Sequence, residues 1–188
     1  DRPVHPGARE RGAVVNMTQQ QLLVPGDVET ADSSDDRYTP PVVLEAVHAM
    51  WNAIDLDPAW DPRSLVKATT TYTLAQDGLT RQWAGRVLNN PPWSNVGPFI
   101  ARAAEVYWNG LGESIFVCKL DTSTKWWRAW AWHADAICFA GRLRYLLPDG
   151  STMGTPAFES AILYYGPARD DFHTAFSPLG KVIRPCES

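Results

Sequence analysis

The chain has 188 residues, 45% of them hydrophobic, with a formal net charge of −4. That length supports one domain with a real core, and the acidic balance excludes a strongly basic nucleic-acid-wrapping protein. There is no apolar stretch long enough to span a bilayer and no basic segment leading into an apolar one.

The charge is unevenly placed. Residues 1–36 hold three Arg against seven Asp and Glu, so the remainder is balanced at 14 basic and 14 acidic residues. This polar, aperiodic stretch reads as a mostly disordered leader, and residues 37–188 as the folded domain. Residues 38–41, Tyr-Thr-Pro-Pro, open a helix to about residue 51, with Thr39 as its cap and an apolar face of Val43, Ala46, Val47 and Met50. Residues 54–58 read as a short strand ending at an acidic turn. Residues 61–80 look irregular, with a Thr-rich stretch at 69–73 and a turn at Asp77-Gly78.

Val87-Leu88 closes a buried strand, and residues 96–107 follow as a helix with Phe99, Ile100, Ala103, Ala104 and Tyr107 on one face. Residues 113–120 contain the continuous apolar run Ile115-Phe116-Val117-Cys118, as in a buried parallel sheet. Thr122 or Ser123 caps a helix to about residue 133. Strands over 136–140, 142–147 and 158–165 then make the second half strand-rich, with Pro148-Asp149-Gly150 as a hairpin tip. Strands alternating with helices predict an α/β sheet with helices on both faces.

Nine Trp are spread along the chain and read mainly as core fillers, with a minority in a ring-binding cleft. Cys118, Cys138 and Cys186 have no metal-ligand spacing; the first two lie in apolar runs as reduced core thiols, which fits a cytoplasmic setting. The four His are scattered, no Ser-His-Asp set stands out, and no metal site is expected.

The most informative run is Asn90-Pro91-Pro92-Trp93, on a strand-to-helix loop where open α/β sheets place ligands. An exocyclic amine on a purine is a poor nucleophile because its lone pair is delocalised into the ring. The Asn90 side-chain oxygen can accept one N–H of such an amine, and a carbonyl of the Pro-Pro turn the other. With both hydrogens held, the nitrogen lone pair turns toward an electrophile, which is catalysis by orientation. Trp93 supplies a stacking face.

Six segments taken together resemble the phage-type DNA N6-adenine methyltransferase family, the Dam-like group. They are Tyr38-Thr39-Pro40, Asp55-Leu56-Asp57-Pro58, Asp77-Gly78-Leu79 with Trp83, Asn90-Pro91-Pro92-Trp93-Ser94, Lys125-Trp126 and Gly141-Arg142-Leu143. The resemblance implies a Rossmann-like class I methyltransferase fold with a mostly parallel sheet, S-adenosylmethionine as methyl donor, and a flipped-out adenine in DNA as acceptor. It places Tyr38, Thr39 and Pro40 against the methionine end of the cofactor, with Asp57 and Pro58 near its amino group. Asp77 and Leu79 fall at its adenine, and Asn90, Pro91, Pro92 and Trp93 at the target base. A phage or restriction-modification setting follows from the same resemblance. Two features depart from common patterns: the turn Asp57-Pro58-Ala59-Trp60 has no glycine, and Trp93 stands where Tyr or Phe is commoner.

DNA contact is assigned to Ser94, next to the Asn-Pro-Pro-Trp run, and to Lys119, Lys125, Arg142 and Arg144, because basic residues outnumber acidic ones over residues 119–147. Two other functions fit the same residues. One is methylation of an RNA adenine or a glutamine amide; the other is a non-catalytic nucleic-acid-binding module on the same fold. The target sequence and the choice between monomer and dimer are not legible.

Overall fold

The computed structural model describes residues 35–185. The leader reading over 1–34 and the reading of Cys186 lie outside them. Asp35 and Asp36, assigned to the disordered leader, are instead held by side-chain contacts.

One seven-stranded sheet organises the chain. Its strands are β1 (Ile54–Asp57), β2 (Ala68–Thr71), β3 (Gly85–Asn89), β4 (Gly112–Lys119), β5 (Ala136–Gly141), β6 (Ser160–Tyr165) and β7 (Lys181–Ile183). They lie in the order β2-β1-β3-β4-β6-β5-β7. The pairs β1–β2, β1–β3 and β3–β4 are parallel, whereas β4–β6, β5–β6 and β5–β7 are antiparallel. The expectation of a mostly parallel sheet is therefore corrected to an even split of neighbours. The cause is β6, which inserts between β4 and β5 and pairs antiparallel with both, together with β7, which pairs antiparallel with β5 at the edge.

Among the described residues four α-helices, α1 (Pro41–Met50), α2 (Val96–Trp108), α3 (Lys125–Ala129) and α4 (Arg169–Phe176), cover the two faces. The apolar residues of α1 and α4 pack with Leu88, Ile115, Val117, Ile162 and Tyr164. Those of α2 and α3 pack with Val87, Phe116, Cys118, Leu163 and Tyr165 on the opposite face. Neighbouring strand residues point to opposite faces, so the continuous apolar runs of β4 and β6 feed both cores, as buried strands must.

Several local expectations change. Pro40, not Thr39, sits at the N-cap of α1, with no side-chain cap bond. Thr124 rather than Thr122 or Ser123 caps α3 by accepting from the Trp127 N–H at 3.3 Å, and that helix gives way to a separate 3-10 turn at Ala131–His133. The stretch 142–147 alternates buried Leu143 and Tyr145 with exposed Arg142 and Arg144, yet its only β contacts are the bridges of Leu146 to Tyr38 and Thr152. The tip at Pro148-Asp149-Gly150 is present, closed by the Gly150 N–H to Leu147 carbonyl bond at 2.9 Å. β2, α4 and β7 were not foreseen; the strand β2 arises in the Thr-rich stretch read as irregular.

Gly78 lies against the turn after β1, where an added Cβ would overlap the Pro58 carbonyl oxygen. Its own carbonyl accepts from the Trp83 indole N–H at 2.7 Å, so the backbone cannot easily retreat. Gly78→Ala should cost about 1–3 kcal/mol of stability, read by chemical denaturation.

Candidate active site

β1 has β2 on one side and β3 on the other, so the chain leaves β1 in one direction and returns on the far side of it. Such a reversal opens a crevice at the carboxyl ends of the strands. A cleft of about 530 Å³ lies there, lined by Asp57 and Pro58 from the end of β1 and by Asn90, Pro92 and Ser94 from the loop after β3. Tyr38 and Thr39 close one wall, and Asp77 and Leu79 line another part.

Asp57 is the most perturbed acid of the site. It is 5% exposed, and its Oδ1 accepts from the Ala59 N–H at 3.0 Å. Burial pushes its carboxyl up to about 7, against the weaker opposing pull of that hydrogen bond. No cationic side chain among the described residues pairs with it. A buried carboxylate without a counter-charge suits a ligand that brings an ammonium.

Tyr38 is joined to Leu146 by two backbone hydrogen bonds, of 3.0 and 3.1 Å. Burial and the nearby Asp61 carboxylate push its phenol up to about 12, and the Arg63 guanidinium lies 5.4 Å from its ring centre. Arg63 grips both oxygens of Asp61, at 2.8 and 2.9 Å, and holds that carboxyl below the usual range. Asp77 takes up a left-handed backbone, φ 48° and ψ 79°, between two 3-10 turns, and its side chain is exposed.

Of the adjacent asparagines, Asn89 is fully buried in the sheet and only Asn90 lines the cleft. The Asn90 Nδ2 donates to the Arg37 carbonyl at 2.8 Å. Its Oδ1 is shielded from solvent and has no hydrogen-bond partner. The amide orientation is thus set from one side, and the acceptor is left over. The Pro92 carbonyl accepts from the Asn95 N–H at 3.0 Å and is engaged in the turn.

Of the residues assigned to the cofactor or the target base, three do not line the cleft: Pro40, Pro91 and Trp93. Pro40 starts α1, and Pro91 is buried in the loop. The Trp93 indole packs edge-to-face with Tyr145 and Phe158, at ring-centre distances of 5.2 and 4.8 Å. It ties the Asn90 loop to the segment after β5, which the expectation of a free stacking plate did not include.

The basic residues stand outside the cleft at the same end of the sheet. Lys119 ends β4 and lies 5.7 Å from the Phe158 ring centre; Lys125 begins α3. Arg142 and Arg144 follow β5, which runs parallel to β4 because both are antiparallel to β6. Arg144 donates to Thr155 Oγ1 at 3.3 Å, and all four are exposed. Ser94 is engaged instead by Asp35. The features that sequence reading missed are the Arg37 carbonyl behind Asn90, the Asp61–Arg63 pair beside Tyr38, and Asp35. Their contacts across the chain carry no local signal; the Arg37–Asn90 bond joins residues 53 apart.

Among the described residues no helix is long and apolar enough to cross a membrane, and no three His, Cys, Asp or Glu gather as a metal group. A family model described as DNA N-6-adenine-methyltransferase (Dam) matches residues 27–166, a span that runs from before α1 through β6 and includes every residue of the cleft. No curated protein matches the chain in direct comparison. With three quarters of its length under that match, the chain belongs to the DNA N-6-adenine-methyltransferase (Dam) family, enzymes that methylate the N6 amine of adenine in DNA with S-adenosylmethionine as donor.

Proposed function

We propose that residues 37–188 form a class I, Rossmann-like methyltransferase domain, and that Asn90 orients the N6 amine of an adenine swung out of the DNA stack. The reading is carried by one observation, the unpaired Asn90 Oδ1 beside the cleft that holds the unpaired Asp57 carboxylate. The strand-order reversal at β1 and the inserted antiparallel β6 support the fold assignment.

S-adenosylmethionine supplies a methyl group already activated by a sulfonium charge, so the chain's work is binding, orientation and water exclusion. Asp57 would receive the ammonium of the methionine end, with Pro58 shaping that turn and Tyr38 and Thr39 closing over it; Pro40 fixes their approach by starting α1. Asp77, acceptor-only when ionised, would take the cofactor's adenine amine, with Leu79 beside the ring. Asn90 Oδ1 accepts one hydrogen of the target amine. The other would go to a carbonyl of the Pro91-Pro92 turn, where that of Pro92 already accepts from the Asn95 N–H. Holding both hydrogens turns the nitrogen lone pair toward the methyl carbon. The amine proton then departs to solvent.

Trp93 contributes through packing as well as any contact with the base, because it wedges against Tyr145 and Phe158. Lys119, Lys125, Arg142 and Arg144 would meet phosphates along the strand ends, and Ser94 the backbone next to the flipped nucleotide. The buried free thiols Cys118 and Cys138 fit a reducing compartment.

Asn90→Ala should lower methyl transfer to adenine-containing DNA by about 100-fold or more, while calorimetric cofactor binding stays near wild type. Transfer at wild-type rate would refute the orienting role. Asn90→Asp should fail as well, because a carboxylate oxygen would then face the Arg37 carbonyl. Trp93→Ala should lose about 2 kcal/mol or more of stability in addition to activity; loss of activity alone would favour pure stacking.

Asp57 makes a pH prediction with two opposite signs. Its folded pKa lies above the unfolded value, so its contribution to apo stability is present below about pH 4 and lost as pH rises to about 7. Asp57→Asn should therefore melt higher than wild type at pH 8 without cofactor, the advantage shrinking between pH 7 and 4. Cofactor affinity should show the reverse: in wild type it strengthens up to about pH 7, and in the variant it is weak and flat. A variant less stable than wild type at pH 8 would sink this account.

A further inference from the structure

Residues 35–37 line the mouth of the cleft and are tied to both of its banks. On the bank after β3, the Asp35 carboxylate accepts from the Ser94 N–H at 2.8 Å and from Ser94 Oγ at 2.6 Å. On the bank after β1, the Asp36 carboxylate lies 3.6 Å from the Arg63 guanidinium. Between them the chain turns inward, so that the Arg37 carbonyl accepts from Asn90 Nδ2, and Tyr38 then pairs with Leu146. The segment thus joins the two banks through its half-buried carboxylates and sets one carbonyl on the Asn90 amide.

Two physical facts conflict with DNA binding over this arrangement. A DNA strand carries a negative charge on every phosphate, and here Asp35 and Asp36 lie on the approach to Asn90. The Asn90 Oδ1 is moreover shielded from solvent, so an amine reaches it only after neighbouring atoms move. The ties of Asp35 to Ser94 are exposed hydrogen bonds and that of Asp36 to Arg63 is a long ion pair, contacts of a kind that is weak and reversible in water.

We propose that Asp35 and Asp36 form an acidic strap on the DNA-free cleft that is displaced by the target strand, with a backbone phosphate oxygen replacing the Asp35 carboxylate on Ser94 while the Arg37 carbonyl stays on Asn90 Nδ2. The exchange is one anion for another on the same two donors, so the Ser94 N–H and hydroxyl keep an acceptor. Displacing the two carboxylates removes negative charge beside the Asn90 loop as the strand arrives, which couples DNA binding to clearance of the approach to the amide. This rests on the reading that DNA approaches over Asn90.

The test uses the full chain and a fluorescein-labelled, adenine-containing duplex followed by anisotropy without cofactor, with methyl transfer measured in parallel. Asp35→Asn/Asp36→Asn should tighten the Kd by about three- to tenfold at low salt, the gap closing when screening at about 0.5 M salt shortens the range of charge. Asp35→Glu/Asp36→Glu, which keeps both charges, should stay near wild type. Asp170→Asn/Asp171→Asn changes net charge equally on α4, which follows β6 and so lies at the other end of the sheet; it should give no comparable gain. The strap is overturned if Asp35→Asn/Asp36→Asn binds no tighter than wild type, if the control gains as much, or if the gap persists in high salt. Wild type that methylates DNA under any of those outcomes leaves the assignment of Asn90 standing; wild type that neither binds nor methylates DNA overturns both.

Discussion

The parallel pairing of β1 with β3, set by Leu56 opposite Val87, is the constraint from which the site follows. Because β2 lies on the far side of β1, the loops leaving β1 and β3 diverge, and their separation is the cleft. Asp57 ends one strand and Asn90 follows the other, so the two groups face a shared space without being close in sequence. A sheet in simple sequential order would have placed a connection over that gap.

The cleft holds its polar groups in an incomplete state. Asp57 is buried with one backbone hydrogen bond and no cation, and Asn90 has a donor engaged and an acceptor left over. Both arrangements disfavour the free protein and are relieved by ligands of complementary charge or hydrogen bonding. The groups that the fold leaves unsatisfied thus lie together at one cleft. The surrounding packing tolerates this, because Ile115, Phe116, Ile162 and Leu163 are fully buried at the centre of the sheet.

The segment before α1 does more than lead into the domain. Through Tyr38 it is paired with Leu146, through Arg37 with Asn90, and through Asp35 and Asp36 with the two banks of the cleft. Trp93 extends the same network to Phe158, beside which Lys119 lies. The Asn90 loop is therefore connected to the basic segments after β4 and β5 through Trp93 and Phe158, which pack against the core.

Much of the architecture was legible from local pattern. The buried strands β3, β4 and β6 and the helix α2 announce themselves by continuous apolar runs and by 3.6-residue periodicity, and the Asn-Pro-Pro-Trp loop falls between two of them. β2 escaped because an edge strand of Ala and Thr buries too little to show an apolar pattern; α4 escaped because only Phe172 and Phe176, one turn apart, mark its buried side. The residue types of the site, an acid after the first strand and an amide after the third, were determined by the sequence alone. Where the indole of Trp93 points, which atom holds Asn90, and which anion rests on Ser94 were decided only by tertiary structure. These depend on contacts between residues tens of positions apart, and no local propensity or spacing encodes the direction of a side chain across such a distance.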